Sequence, residues 1–198
     1  MGIGSIFAIV KLADTNTEKV FSIQYQENEP HIFEQLFDNW SDVEYLFDFF
    51  HEHIKDLESS HWQEKFSEKL SIEQAIDITI EHALDFEKII LDLAKRNTLN
   101  VYGNSLNQIF VPLSKTFYEP LKTALKSYGT GRNSWLRIYA IHIQDVYIIT
   151  GGAIKLTQAM QDRPHTQKQL DTMKFVVSEL KRNGFTENTD FDFVYVEV

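Results

Sequence analysis

The densest run of chemically useful side chains lies between Thr150 and Thr166. Gly151-Gly152 is followed by Lys155, Thr157, Gln158, Arg163 and His165. A glycine pair lets backbone amides come close to an anion. The side chains after it are hydrogen-bond donors, and His165 adjoins a helix start, where the dipole favours negative charge. These are the parts of a phosphate site; the same composition also suits a solvated basic loop. A second feature is Arg137, inside the apolar stretch 134–143. By the two-residue period of a strand, Trp135, Arg137, Tyr139 and Ile141 share one face, and Leu136, Ile138, Ala140 and His142 the other. An Arg there is costly unless it is paired, reaches water or meets a ligand. It reads as a phosphate or carboxylate clamp, or as a structural ion pair.

Other chemistries find less. His51 and His53 are two apart on a helix and point to different faces. Gly129-Thr-Gly131-Arg132 lacks the Gly-Lys-Ser/Thr of a phosphate-binding loop, and no Gly-x-Ser-x-Gly elbow occurs. With no Cys in the chain, disulfides, thiol catalysis and Cys-based zinc sites are excluded. No metal and no nucleotide cofactor is expected.

The elements that must position these residues can be read along the chain. Residues 5–12 and 19–26 are β-branched and aromatic, with turn chemistry between them, and predict a hairpin. Pro30 and the spacing of Ile32, Phe33, Leu36, Phe37 and Trp40 predict a helix. Ser41-Asp-Val-Glu44 reads as a capping box opening a second, running to Leu57. Residues 58–70 read as polar and irregular, with Trp62 and Phe66 as anchors. Ser71-Ile-Glu-Gln74 opens a long helix ending near Lys95-Arg96-Asn97. Residues 98–104 read as a linker, and 115–132 as a basic loop. Strands are predicted over 134–143 and 145–150, with a tight turn at Gln144 and an end or bend at Gly151-Gly152. Thr166-Gln-Lys-Gln169 reads as a third capping box, opening a helix that stops at Gly184. A last strand is predicted over 191–198.

Charge divides the 198 residues. Residues 1–100 hold 8 Lys and Arg against 20 Asp and Glu; residues 101–186 hold 11 against 5. The whole is −10, so no long-range field draws it to bulk nucleic acid, and any such contact must be local. Two regions are expected: an acidic, mainly helical one with a β-hairpin over 1–97, and a basic one over 98–198. No apolar run is long enough to cross a membrane and the first residues lack a basic leader, so a cytoplasmic protein without membrane contact is expected.

The segments Ser134-Trp-Leu-Arg-Ile-Tyr-Ala-Ile141 and Val146 to Pro164 resemble the RelE/ParE toxin superfamily, most of all its HigB-like branch. Arg137-Ile-Tyr139 matches the family's Arg-bearing strand. Ile154-Lys155-Leu-Thr157-Gln158 and Arg163-Pro164 match its basic run. The whole layout, with Thr150-Gly-Gly-Ala-Ile-Lys155 and Arg163-Pro-His-Thr166, also resembles a group of Bacteroidetes proteins. The resemblance covers residues 105–182 and implies an α+β fold, with an antiparallel sheet flanked by helices in the C-terminal half. It implies metal-independent cleavage of mRNA, free or on the ribosome. The 2′-hydroxyl attacks the adjacent phosphate and leaves a cyclic phosphate and a 5′-hydroxyl. On it, Arg137, Lys155 and Arg163 hold the phosphate, and His165 or Tyr139 moves protons. Arg132, Trp135, Thr157 and Gln158 contact RNA. An antitoxin or another protein partner is implied too. Leu156 stands where the family often has a second Lys, and the acidic first hundred residues have no counterpart in a lone toxin. They would act as a shield over the basic face or as a docking region. The alternative is a non-catalytic interaction module that keeps the fold.

Overall fold

The computed structural model describes residues 8–14, 19–26, 28–95, 106–113, 123–129, 133–143 and 146–184. The fold is α+β. Six strands form one sheet in the order β1-β2-β6-β5-β4-β3. They are β1 (Ala8–Asp14), β2 (Lys19–Gln24), β3 (Phe110–Pro112), β4 (Thr123–Tyr128), β5 (Leu136–Ile143) and β6 (Val146–Ile154). The helices are α1 (Ile32–Ser41), α2 (Val43–Glu52), α3 (Ile54–Leu57), α4 (Ser60–Phe66), α5 (Ile72–Lys95), α6 (Leu106–Ile109) and α7 (Pro164–Arg182). No described helix is long and apolar enough to cross a membrane.

β1 and β2 form the expected antiparallel hairpin, with its turn outside the described residues. β3, β4, β5 and β6 are antiparallel in turn. The sheet as a whole is mixed, because β2 pairs parallel with β6 from Lys19↔Val146 to Ser22↔Ile149. A parallel pair needs a long crossover, and α1 to α5 supply it. The sheet therefore crosses the boundary expected near residue 97. So does the larger apolar cluster, where Val20, Phe37 and Phe86 pack with Leu136, Ile138 and Ile149. The linker at 98–104 and the strand at 191–198 lie outside the described residues.

Every residue of β6 is buried. One face meets α1, α2 and α5 through the larger cluster. The other meets α7, where Tyr139, Ile141, Ile148 and Ala153 pack with Met173, Val176 and Leu180. The strand runs on through Gly151-Gly152, with an irregularity between Tyr139 and Ala140 that leaves Thr150 as the extra residue. The glycines let two helices press on the sheet. A Cβ on Gly152 would lie 2.8 Å from Leu36 of α1 and from the Arg137 carbonyl; one on Gly151 would lie 2.0 Å from the Gln169 carboxamide of α7.

The helix starts follow local chemistry. The box at Ser71 and Gln74 forms as expected, each side chain bonding the other's backbone N–H. Asp42, not Ser41, caps α2, accepting from Tyr45 N–H at 2.9 Å. The box expected at Thr166 does not form. α7 starts three residues earlier, with Arg163 at the N-cap and Pro164 in its first turn, and the Thr166 hydroxyl donates to the carbonyls of Met160 and Arg163. Gly184 ends it at φ 75°, the left-handed stop glycine favours. Residues 58–70 are not irregular, because α4 forms around Trp62, whose Nε1 donates to the Leu156 carbonyl at 2.8 Å. Within the segment expected as a loop, 123–128 is a strand.

Two substitutions test this framework. Gly152→Ala presses a methyl on backbone and on Leu36, and should cost about 1–3 kcal/mol in urea unfolding. Thr79→Val removes the acceptor 2.9 Å from the buried Trp135 indole N–H. It should also cost about 1–3 kcal/mol, the usual penalty for an orphaned buried donor.

Candidate functional site

Helix α7 crosses β5 and β6 but leaves the same face of β4 open. The gap is a cleft of about 620 Å³. Arg137 and Tyr139 of β5 and Lys126 and Tyr128 of β4 enter it by strand alternation. Lys155, Thr157 and Gln158 follow from the end of β6, and Lys174 from α7. α4 closes one side with His61 and Lys65. Among the described residues, five cationic side chains and one imidazole thus line a single cleft, and no Asp or Glu does. Among the described residues the acidic half brings no carboxylate to this lining. It adds a cation and a histidine to it.

The cations are held rather than loose. Arg137 donates to the carbonyls of Ser134 at 2.9 Å and Leu136 at 2.6 Å. Its guanidinium lies 4.2 Å from the centre of the Tyr128 ring. Lys155 Nζ donates to the Thr157 carbonyl at 2.6 Å and to that of Gln158. Burial lowers the pKa of Arg137. Burial, then the nearby Arg137 charge, lowers those of Lys155 and Lys65. Burial and Lys65 lower that of His61. At the base of the cleft Tyr139 is 1 % exposed and its hydroxyl has no hydrogen-bond partner among the described residues. Burial pushes its phenol up, so it stays protonated, a donor without an acceptor. A buried unsatisfied hydroxyl is rare in a native fold. This one lies among cations, so an anionic oxygen placed there would meet both a donor and positive charge.

Five of the nine residues singled out from sequence meet here: Arg137, Tyr139, Lys155, Thr157 and Gln158. Arg132 lies outside the described residues. The other three are elsewhere. Trp135 precedes β5, so strand alternation does not govern it. It turns to the opposite face and is fully buried against Phe50, Trp62 and Phe66, where it cannot stack on a base. Arg163 is spent on Asp56 of α3, with bonds of 2.7 and 2.5 Å. His165 packs between Phe49 and His53 with Nε2 3.0 Å from the Ile154 carbonyl. Arg163 and His165 tie α7 to the first helices because Pro164 starts α7 and aims both away from the cleft. The glycine pair serves helix packing, not an anion cradle. Sequence reasoning missed Lys65, Lys126, Lys174 and His61, which come from segments it read as irregular, as a basic loop and, for Lys174, as a helix. For the three lysines only their sign, cationic within a chain of net −10, could have pointed to them. Among the described residues no group of three or more His, Asp and Glu could hold a metal ion.

Two outcomes follow. Arg163→Ala should lower the urea midpoint, yet leave anion binding in the cleft unchanged, as read by phosphate titration. The second concerns pH. His165, His82 and His61 all have pKa values lowered by burial. The folded chain then binds fewer protons at these sites than the unfolded one, so stability rises with pH through this range. It is fully present above the ordinary histidine pKa of about 6.5 and is lost as pH falls through the lowered folded values. Unfolding midpoints measured between pH 5 and 8 should show this loss, and His165→Gln should reduce it.

Compared with known proteins, the chain matches no family model, no curated protein and no solved structure.

Proposed function

We propose that the cleft clamps the phosphate backbone of single-stranded RNA, and that the protein is a toxin–antitoxin-type endoribonuclease acting without a metal. The observation that carries this reading is that, among the described residues, five cations surround an unpartnered Tyr139 hydroxyl and no acid lines the cleft. Cleavage by 2′-hydroxyl attack needs a base, cations for the phosphorane oxygens and an acid for the leaving oxygen. His61 is the imidazole of the cleft, and its lowered pKa keeps it neutral and able to take the 2′-proton. Arg137, Lys126 and the Tyr139 hydroxyl face the non-bridging oxygens. Lys155, its pKa lowered by burial and by Arg137, gives a proton to the departing 5′-oxygen. Tyr128, 45 % exposed at the rim, offers a ring for stacking a base.

The test is binding of a fluorescent single-stranded RNA across a salt series, with the products identified by mass. Each phosphate contact to a single strand contributes about −0.7 to the log–log salt slope. Lys155→Met and Arg137→Met should each flatten the slope by about that amount and weaken binding. Products in chelator should end in a 2′,3′-cyclic phosphate and a 5′-hydroxyl, and His61→Ala should suppress them by about 10²-fold or more. Binding without cleavage would reduce the protein to an RNA-binding derivative. Absence of salt-dependent binding would overturn the reading and favour a non-catalytic protein-interaction module.

A further inference from the structure

A second cavity of about 540 Å³ lies on the other flank of α7, between α7 and α1. It opens where two strands part. β2 pairs with β6 only as far as Ser22↔Ile149, while β6 continues to Ile154. Beyond Ile149 no described strand covers that edge of β6. The Lys155 N–H donates to the Trp135 carbonyl at 2.8 Å, towards β5. Strand alternation then turns the backbone groups of Gly151 and Ala153 the same way, and those of Gly152 and Ile154 to the open edge. The Ile154 carbonyl meets His165 there. The N–H and carbonyl of Gly152 point to the same edge, within the cavity lining.

Beside them the Gln169 carboxamide takes the place of a Gly151 side chain and has no hydrogen-bond partner among the described residues. Gln35 of α1 donates to the Pro30 carbonyl at 2.5 Å, leaving its own oxygen as an acceptor. Ile32 and Leu36 form an apolar wall on one side, and the Phe175 ring flanks the other. The charged lining is one cation and one acid, Lys168 and Asp171. The contrast with the five-cation cleft argues against an anion. The cavity asks for a neutral, flat ligand with a donor beside an acceptor on one edge, bounded by apolar faces. A strand residue whose N–H and carbonyl point the same way offers the matching pair.

We propose that this cavity binds a nucleobase, reading one hydrogen-bonding edge through the Gly152 backbone and the Gln169 carboxamide. Base edges carry such adjacent pairs, and their faces suit apolar and aromatic walls. The site is independent of the proposed RNA cleft. The base comes either from a free nucleoside or from a nucleotide within a strand.

The experiment uses the full chain. Adenosine, guanosine, cytidine and uridine are titrated and followed by saturation-transfer NMR and calorimetry, beside single-stranded hexamers of each base. At least one base should bind. Gln169→Leu should weaken it tenfold or more, and Lys155→Met should leave the nucleoside affinity unchanged. A 5′-phosphate should not tighten it. Gly151→Ala is the second variant, since its methyl meets only the end of the Gln169 side chain and displaces that carboxamide. It should weaken binding in the same direction while circular dichroism shows a folded chain. Nucleoside binding that depends on Gln169 identifies the free source. Hexamer binding alone, with the same dependence, identifies the strand. No binding by either, or binding that Gln169→Leu and Gly151→Ala leave unchanged, overturns the proposal.

Discussion

The constraint on which this fold depends is that β6 is buried along its whole length. A strand with no polar face must be covered on both sides. That forces a helical layer on each face and makes the apolar run Val146–Ile149 the middle of the sheet. β5 pairs with one edge because it ends at Ile143, close in sequence to the start of β6 at Val146. The other edge is taken by β2, nearer the start of the chain, and its parallel direction demands a long connection. α1 to α5 are that connection, and they are also one of the two layers. The acidic helices are therefore structural parts of the same sheet protein, not an appendage to a basic domain.

From this the distribution of charge acquires a purpose. A helix of α7's length covers β6 and β5 but leaves β4 bare on that face. The side chains at its flank are cations, and α4 turns Lys65 and His61 towards them. Five like charges around one gap repel one another, and burial makes the repulsion harder to screen. The fold tolerates this because the charges rest on carbonyls and rings: Arg137 on Ser134, Leu136 and Tyr128, and Lys155 on Thr157 and Gln158. Partial neutralisation by dipoles holds the cluster together without satisfying it. In a chain whose net charge is −10, its attraction is felt only at close range.

Much of this was legible in the residues. The hairpin, the long capped helix and the stop at Gly184 follow from local chemistry and stand; the strand expected over 134–143 stands from Leu136 onward. Arg137, Tyr139 and Lys155 were recognisable as a possible clamp because a cation in an apolar strand needs a reason. What was not legible depended on contacts far apart in sequence. Trp135 reads as a strand residue, but its place is set by Thr79 and Trp62. Arg163 and His165 read as ligands of an anion, but Asp56 and the Ile154 carbonyl claim them. β4 carries too weak a pattern to be called a strand until β5 lies beside it. The strand-like segment 191–198 and Arg132 lie outside the described residues.

The two glycines show how one local feature serves both cavities. Tyr139 stands opposite Gly151 in the register of β5 and β6. Its side chain reaches the cationic cleft on one flank of α7. On the other flank, Gln169 of α7 lies against Gly151 in the second cavity. A side chain at 151 would displace Gln169, and one at 152 would push α1 away from the sheet. Since α7 forms a wall of both spaces, its seat on β6 fixes the shape of each. The glycine pair thus sets how closely α1 and α7 approach the strand between them. That distance governs the width of both openings, and it follows from the absence of two Cβ atoms rather than from any polar group.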